Sequence, residues 1–437
     1  MRVLMMQKSM GLFATTGEYK ANTSLLRYLA SRGHATAQFC FTYDGEIERA
    51  ISKVEAGGAK ASVSSGQFQM ITEEGNPTDI KYWSFTNVNG IYNIALDADA
   101  ITKVFPTKLQ AKETKKFLET EEQSIRLQAY TKLLFEQISL FKPTHILFSD
   151  PLWMKATSVM DLEGAKRIFI IHCAEQLPFG PYAGGIPNSA CSPAEHELLK
   201  QCNGVWAVSK AVKNYAWKYG QLETACIPNH AWIYLDERTQ QLPRRRYNWN
   251  KGLVGMINPS RVKGVHILLK LAKRMPEVGF VCWRSWAMHD EIRKALEEQP
   301  NIELRDPTTN MEEAWDDIKV LLVPSLWLEA WGIVVVEAQL RGIPVLASDA
   351  GALPESKLGV PHIIPVKALT GEHDEDGQYT VPEQDIEPWV EPLDTLLKDE
   401  EEYKKLAEQA RTVTADYVKN LDDTAIEKWM ISLARKQ

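Results

Sequence analysis

Residues 324–355 read PSLWLEAWGIVVVEAQLRGIPVLASDAGALPE. An apolar run, Lys319–Pro324, leads into this stretch, and a second, Pro344–Ser348, lies near its end. Both read as buried strands joined by a helical connection. Between them stand two carboxylates, Glu329 and Glu337, eight residues apart, with Gly332 in the interval. The pattern predicts a helix over Ala330–Arg341, whose free N–H groups point back into the preceding loop and suit an anion. Eight helical residues rise roughly 12 Å, and two turns return Glu337 close to the face of Glu329. Two such acceptors with an anion site at the helix start suit a sugar, a diphosphate and a ribose held in one line.

Outward from this stretch the same alternation continues. Leu253–Ile257, Gly279–Trp283, Asn301–Leu304, Lys319–Pro324 and Pro344–Ser348 read as strands with helices between them. The N-terminal half alternates too. Strands are expected at Arg2–Met6, Ala35–Thr42, Thr144–Ser149, Arg167–His172, Gly204–Ser209 and Thr224–Pro228, with a helix over Tyr19–Ser31. Paired strands with a turn at Gly75-Asn76-Pro77 are expected within residues 67–96, and one long amphipathic helix over Lys108–Phe141. Such alternation argues for parallel sheets. Residues 235–250, LDERTQQLPRRRYNWN, carry charge and proline without apolar periodicity, and the domain boundary is placed there. The run Arg244-Arg245-Arg246 reads as a solvated linker edge.

Composition bounds the answer. A chain of 437 residues, 44% hydrophobic, suits two α/β domains of about 200 residues each. A net charge of −7 argues against general nucleic-acid binding. Six scattered cysteines without CxxC spacing argue against zinc and disulfide frameworks, and for a reducing compartment. MRVLMMQKSM reads as a strand and not as a signal peptide, and no run of about 18 apolar residues marks a transmembrane helix. A cytoplasmic location is expected.

The Pro324–Glu355 segment resembles the Glu-x7-Glu signature of retaining nucleotide-sugar glycosyltransferases of family 4. The resemblance implies an α/β fold of two Rossmann-like domains facing across a cleft, the GT-B arrangement. It implies an acceptor-side domain over residues 1–240 and a nucleotide-sugar-binding domain over 241–420. A terminal helix, 421–437, would cross back onto the first domain, with Trp429 as an anchor. By resemblance Glu329 bonds the donor hexose and Glu337 the ribose, while the backbone of Gly332, Ile333 and Val334 donates to the phosphates. Trp331 stands where the family has Phe or Tyr before the glycine.

Further matches follow the same family pattern. Asn258-Pro259-Ser260-Arg261-Val262-Lys263-Gly264 precedes a helix, Val265–Lys273, and Lys263 matches the family's diphosphate-binding lysine. The family's arginine position holds Ile257 or Asn258 here, and Arg261 is the candidate substitute. The loop KSMGLFATTGEYK resembles the family's glycine-containing first loop, with Gly17 the candidate for backbone contact with donor or acceptor. His172 closes a buried strand, where the family's histidine touches the hexose. The loop from Leu177 to Ile186 is a candidate acceptor wall with Phe179 and Tyr182. Arg305 is a candidate beside the nucleobase, and Arg284 and Trp286 stand where a glycine-rich turn is usual. The family implies metal independence; Asp97-Ala98-Asp99 reads as a turn away from the donor motifs.

The implied activity moves a hexose from a UDP or GDP sugar to a hydroxyl of a small metabolite, a glycan or a lipid carrier, with no cofactor. Rival readings are an epimerase or hydrolase on the same scaffold, and a non-catalytic sugar-nucleotide-binding subunit.

Overall fold

A computed structural model describes residues 1–7, 11–185, 191–237, 239–285, 288–308 and 310–435. Trp286 and Ile186 lie outside the described residues. The chain divides into two compact units. The first comprises Met1–Val208, Lys213–Ile233 and Asp422–Gln437, and the second Ser209–Val212 and Tyr234–Leu421.

Among the described residues, the first unit holds nine strands: β1 Arg2–Met6, β2 Ala35–Thr42, β3 Val63–Ile71, β4 Pro77–Thr86, β5 Tyr92–Asp97, β6 His145–Phe148, β7 Lys166–Ile171, β8 Gly204–Ala207 and β9 Ala225–Cys226. Their order is β3-β4-β5-β2-β1-β6-β7-β8-β9. Pairing is parallel except where β4 runs against β3 and β5. The chain leaves β1 toward β2 on one side and returns to β6 on the other, so the switch in strand order lies at β1 and β6. Parallel strands buried on both faces read as continuous apolar runs, as RVLMM and KRIFII do.

The helix Ala425–Arg435 belongs to this unit. Glu427 accepts from Tyr28 and His34, and His145 Nε2 bonds the Met430 carbonyl at 2.9 Å. The Trp429 ring packs where a Cβ on Gly204 would stand, 2.8 Å from it.

The second unit holds β10 Leu253–Ile257, β11 Phe280–Trp283, β12 Ile302–Arg305, β13 Ile318–Val323, β14 Val345–Ser348 and β15 Ile363–Ile364. All pairs are parallel, in the order β12-β11-β10-β13-β14-β15. Here the switch lies between β10 and β13. Val281, Leu321, Val335, Ala338 and Val345 share one core cluster between this sheet and the helix Ile333–Leu340.

Several expectations change. The long helix over Lys108–Phe141 is two helices, Thr107–Thr120 and Ile125–Phe141. Glu121 takes a left-handed φ of 63° and Ser124 caps the second helix by accepting from Leu127 N, which resets the backbone. Asp97 is no turn residue: its side chain caps the helix Ala98–Val104 by accepting from Ala100 N at 2.9 Å. Arg246 is not a solvated linker residue. Its guanidinium is mostly buried and pairs with Asp316 at 2.6 Å and Glu312 at 2.8 Å. Among the described residues, no helix is long and apolar enough to cross a membrane.

Candidate functional site

In an open parallel sheet the ligand crevice forms at the carboxyl ends of strands, where the strand order switches. In the second unit those positions are the loops after β10 and β13. Residues 324–332 follow β13, and the helix begins only at Ile333. Glu329 therefore lies in the loop and not on the helix, and the 12 Å helical spacing to Glu337 does not apply. The cause is Gly332, which takes a φ of 88°, a left-handed conformation that starts the helix late.

The loops are stitched together through backbone. Leu326 N and Trp327 N both donate to the Val262 carbonyl, and Ala352 N donates to the Glu329 carbonyl at 2.8 Å. Glycine is required at the contacts. A Cβ on Gly264, where φ is 82°, would stand 1.9 Å from the Pro324 carbonyl oxygen, and one on Gly351 would stand 2.4 Å from Glu329 N. This close approach places Lys263 against Glu329.

Lys263 Nζ lies 2.6 Å from Glu329 Oε1 and 4.3 Å from the centre of the Trp327 ring. Ser325 Oγ donates to the same carboxylate oxygen. Burial pushes the Glu329 carboxyl up. The Lys263 charge, with hydrogen bonds from Lys263, Ser325 and Trp327, outweighs burial and holds it below the usual carboxylate range. Glu329 is thus a buried anion with a cation beside it. Close by in sequence, Gly332, Ile333 and Val334 are partly exposed at the start of the helix, whose first N–H groups lack intrahelical acceptors. A cation and a helix N-terminus together make an anion site. Asn258 Oδ1 and Ser260 Oγ, in the loop after β10, are buried without a protein partner.

The other expected donor residues are placed as follows. Arg261 shares the loop of Lys263, but its guanidinium pairs with Asp374 at 3.1 Å. Glu337 is buried within the helix, and its carbonyl accepts from Arg341. Trp331 is buried, donates its indole N–H to Tyr234 Oη at 2.6 Å and stacks on Tyr417. Arg305 ends β12, two strands from β10, where it pairs with Glu303 and Asp317 over the Trp283 ring. Arg284 pairs with Asp306.

In the first unit, Gly17 is the exposed first residue of the helix Gly17–Ser31, which Thr16 caps. In the same loop, a Cβ on Gly11 would meet the Glu46 carboxylate at 2.7 Å, so a side chain there would displace it. Glu46 accepts from Leu12 N and Phe13 N and so ties this loop to the helix Glu46–Ala56. The Phe179 ring packs on His196 and the Tyr182 ring on Tyr215, whose hydroxyl donates to the Phe179 carbonyl and accepts from Tyr182 N. His172 sits at the carboxyl end of β7, with its backbone N–H donating to Gln176 Oε1 and its Nε2 3.0 Å from Asn22 Oδ1. Burial pushes its imidazole down to about 3, so the ring is neutral.

Residues 254–413 match the family described as Glycosyl transferases group 1. That match covers most of the second unit. Over 129 residues, 30% of this chain, the sequence is 27% identical to an exopolysaccharide phosphotransferase of Streptomyces coelicolor; the chain spans 12% of that relative's length. Among solved structures, sucrose-phosphate synthase from Thermosynechococcus elongatus is similar with a TM-score of 0.64 at 16% identity, over 100% of this chain and 99% of that one. Anabaena HepE in complex with UDP-glucose is similar with a TM-score of 0.57 at 15% identity, over 100% of both chains. At these identities the likeness shows the fold, which is GT-B along the whole chain.

Sequence reading found Lys263 and Glu329 and missed what holds them. Ser325 and Trp327 lie in the quoted stretch, and a polar and an aromatic residue directly after a buried strand mark them as loop residues at the crevice. Asp374, Tyr234 and Asn22 gave no such signal, because their partners lie 113, 97 and 150 residues away in the chain.

Proposed function

We propose that this chain is a retaining glycosyltransferase that moves a hexose from a nucleoside diphosphate sugar to an acceptor hydroxyl, without a metal. The observation that carries the reading is the Lys263–Glu329 pair at the β10/β13 switch, close in sequence to a helix that starts at Ile333.

When the glycosidic bond breaks, negative charge collects on the departing diphosphate. Lys263 and the N–H groups of Gly332–Val334 supply fixed positive potential for it in a partly buried setting. With a diphosphate in place, the Lys263 ammonium is shared between phosphate oxygen and Glu329. The Glu329 carboxylate then accepts from hexose hydroxyls and orients the ring. Glu337 is assigned to the ribose, and Arg305, stacked over Trp283, to the base end. The UDP-glucose held by the Anabaena relative makes a UDP-hexose the first donor to test. In this reading the acceptor attacks on the leaving-group face and its proton passes to the phosphate.

Titration calorimetry of UDP, GDP, ADP and their hexose conjugates, with and without EDTA, tests the reading. Saturable binding of one nucleotide that survives EDTA, weakened in Lys263→Ala, and transfer to a supplied hydroxyl acceptor are expected. Failure of every nucleotide to bind would make the loop network a scaffold and end the donor assignment. Binding without transfer or donor hydrolysis would favour a sugar-nucleotide-binding subunit.

A further inference from the structure

The first unit contains a line of buried amides that the transfer reading does not use. His172 Nε2 meets Asn22 Oδ1 at 3.0 Å, and Asn22 Nδ2 donates to Gln7 Oε1 at 3.3 Å. Gln7 Nε2 donates to Gln38 Oε1 at 2.5 Å, and Gln38 Nε2 donates to Asn93 Oδ1 at 2.6 Å. Asn93 Nδ2 then donates to two backbone carbonyls, Phe85 at 3.3 Å and Ile91 at 2.9 Å. All four amides are at most 2% exposed. The register explains the alignment: Gln38 is the Cα partner of Met5 on one side and of Asn93 on the other, and Gln7 follows β1.

The far end fixes the direction of the whole line. A backbone carbonyl only accepts, so Asn93 must turn its NH2 toward Phe85 and Ile91 and its oxygen toward Gln38. Gln38 must then donate to Asn93 and accept from Gln7. The same constraint passes to Asn22, which must present its oxygen to His172. Reversing any one amide would set two acceptors or two donors against each other in a buried site.

We propose that this relay holds His172 in the Nε2–H tautomer, so that Nδ1 serves only as a hydrogen-bond acceptor, and that Asn22, Gln7, Gln38 and Asn93 are positioning residues for it. A ligand group that meets Nδ1 must therefore be a donor. Hydroxyl groups of a sugar or of an acceptor qualify, and phosphate oxygens do not. The hydroxyl assignment rests on the glycosyl-transfer reading, whereas the tautomer does not. Burial supports the same state by keeping the ring neutral.

The test is a long-range 1H–15N correlation spectrum of the ligand-free, full-length protein labelled with 15N-histidine. His172 is assigned by the resonance lost in His172→Gln. Between pH 5 and 8, Nε2 is expected to be protonated and Nδ1 unprotonated throughout. An Nδ1–H tautomer, or titration within that range, would overturn the proposal. Asn22→Leu removes the acceptor and is expected to give mixed tautomers and about ten-fold lower kcat/KM, the scale of one lost hydrogen bond. An unmixed Nε2–H tautomer in Asn22→Leu would show that the relay does not set it. A protein with the expected tautomer but no transfer activity would keep the relay and defeat the transferase reading alone.

Discussion

The two units solve one topological problem with different chemistry. Each has a parallel sheet whose strand order switches, at β1 and β6 in the first unit and at β10 and β13 in the second. In the second, the loops at the switch carry a partly buried ion pair, Lys263–Glu329, and a helix start. In the first, neutral amides at the end of β1, within β2 and β5 and on the helix Gly17–Ser31 lead to a neutral histidine at the end of β7. Charge suits the diphosphate proposed for the second unit, because partly buried ions interact strongly and without reorganisation. Neutral amides suit a site that must meet hydroxyls, because they fix direction without attracting anions. Parallel-sheet topology sets where a crevice forms, and the residues around it set its chemistry.

The comparison breaks most visibly at Lys263. Lys263→Ala is expected to lower turnover roughly 10²–10³-fold, the scale of losing one charge-stabilising group. Steady-state kinetics with a UDP-hexose would measure it; a loss below ten-fold would remove charge stabilisation from the second unit's account. Gly264→Ala attacks the backbone that sets the pair. With a φ of 82° and the Pro324 oxygen 1.9 Å from the new Cβ, it is expected to destabilise the second unit by about 3 kcal/mol. Calorimetric unfolding should show the lower transition, and an unchanged melting profile would mean that the loops are not stitched as described.

The third test sharpens the contrast from the other side. Gln38→Leu strands Gln7 Nε2 and Asn93 Oδ1 in the core and is expected to cost about 2 kcal/mol in the first unit. Nucleotide affinity, which the proposed function assigns to the second unit, should hold to within about two-fold (well under the tenfold that 1.4 kcal/mol represents). A large loss of nucleotide affinity would show that the two chemistries are not separable. The smallest effect is a pH dependence. The His172 pKa is lowered from an ordinary 6.5 to about 3 by burial, so below pH 6.5 the unfolded chain takes up a proton that the folded chain refuses. The stability contributed by this site is therefore present above pH 6.5 and lost as pH falls toward 3. The difference in stability between the parent and His172→Gln should shrink by about 1 kcal/mol between pH 7 and 5.5. A difference that stays flat would mean that the folded ring titrates normally.

How much of this was legible follows from where each constraint lies in the chain. Glu329, Gly332 and Glu337 fall within one short stretch, and Lys263-Gly264 directly precedes a helix, so local pattern was enough to name them. The late start of the helix was not legible, because apolar residues at Ile333–Val336 continue the same run that the loop begins; only the backbone angle at Gly332 separates loop from helix. Gln38 and Asn93 were visible as single amides within apolar strands, ATAQFCFT and YNIALD. Nothing in either strand says that the two side chains meet, since that depends on β2 and β5 being neighbours. Arg246 shows the reverse failure: in sequence it belongs to a charged run, and in the fold its carboxylate partners, Glu312 and Asp316, arrive from another helix.

The sequence by itself determined the two parallel sheets, the positions of nearly all strands and the chemical types at the second unit's loops. These are properties of local periodicity and of short-range motifs, which the backbone reads within a few residues. Only the tertiary structure decided that Lys263 bonds Glu329, that Arg261 is turned to Asp374, and that four amides run from His172 to the Phe85 and Ile91 carbonyls. Those contacts join residues far apart in the chain. Strand order and register bring them together, and burial then requires every polar group so enclosed to find a partner.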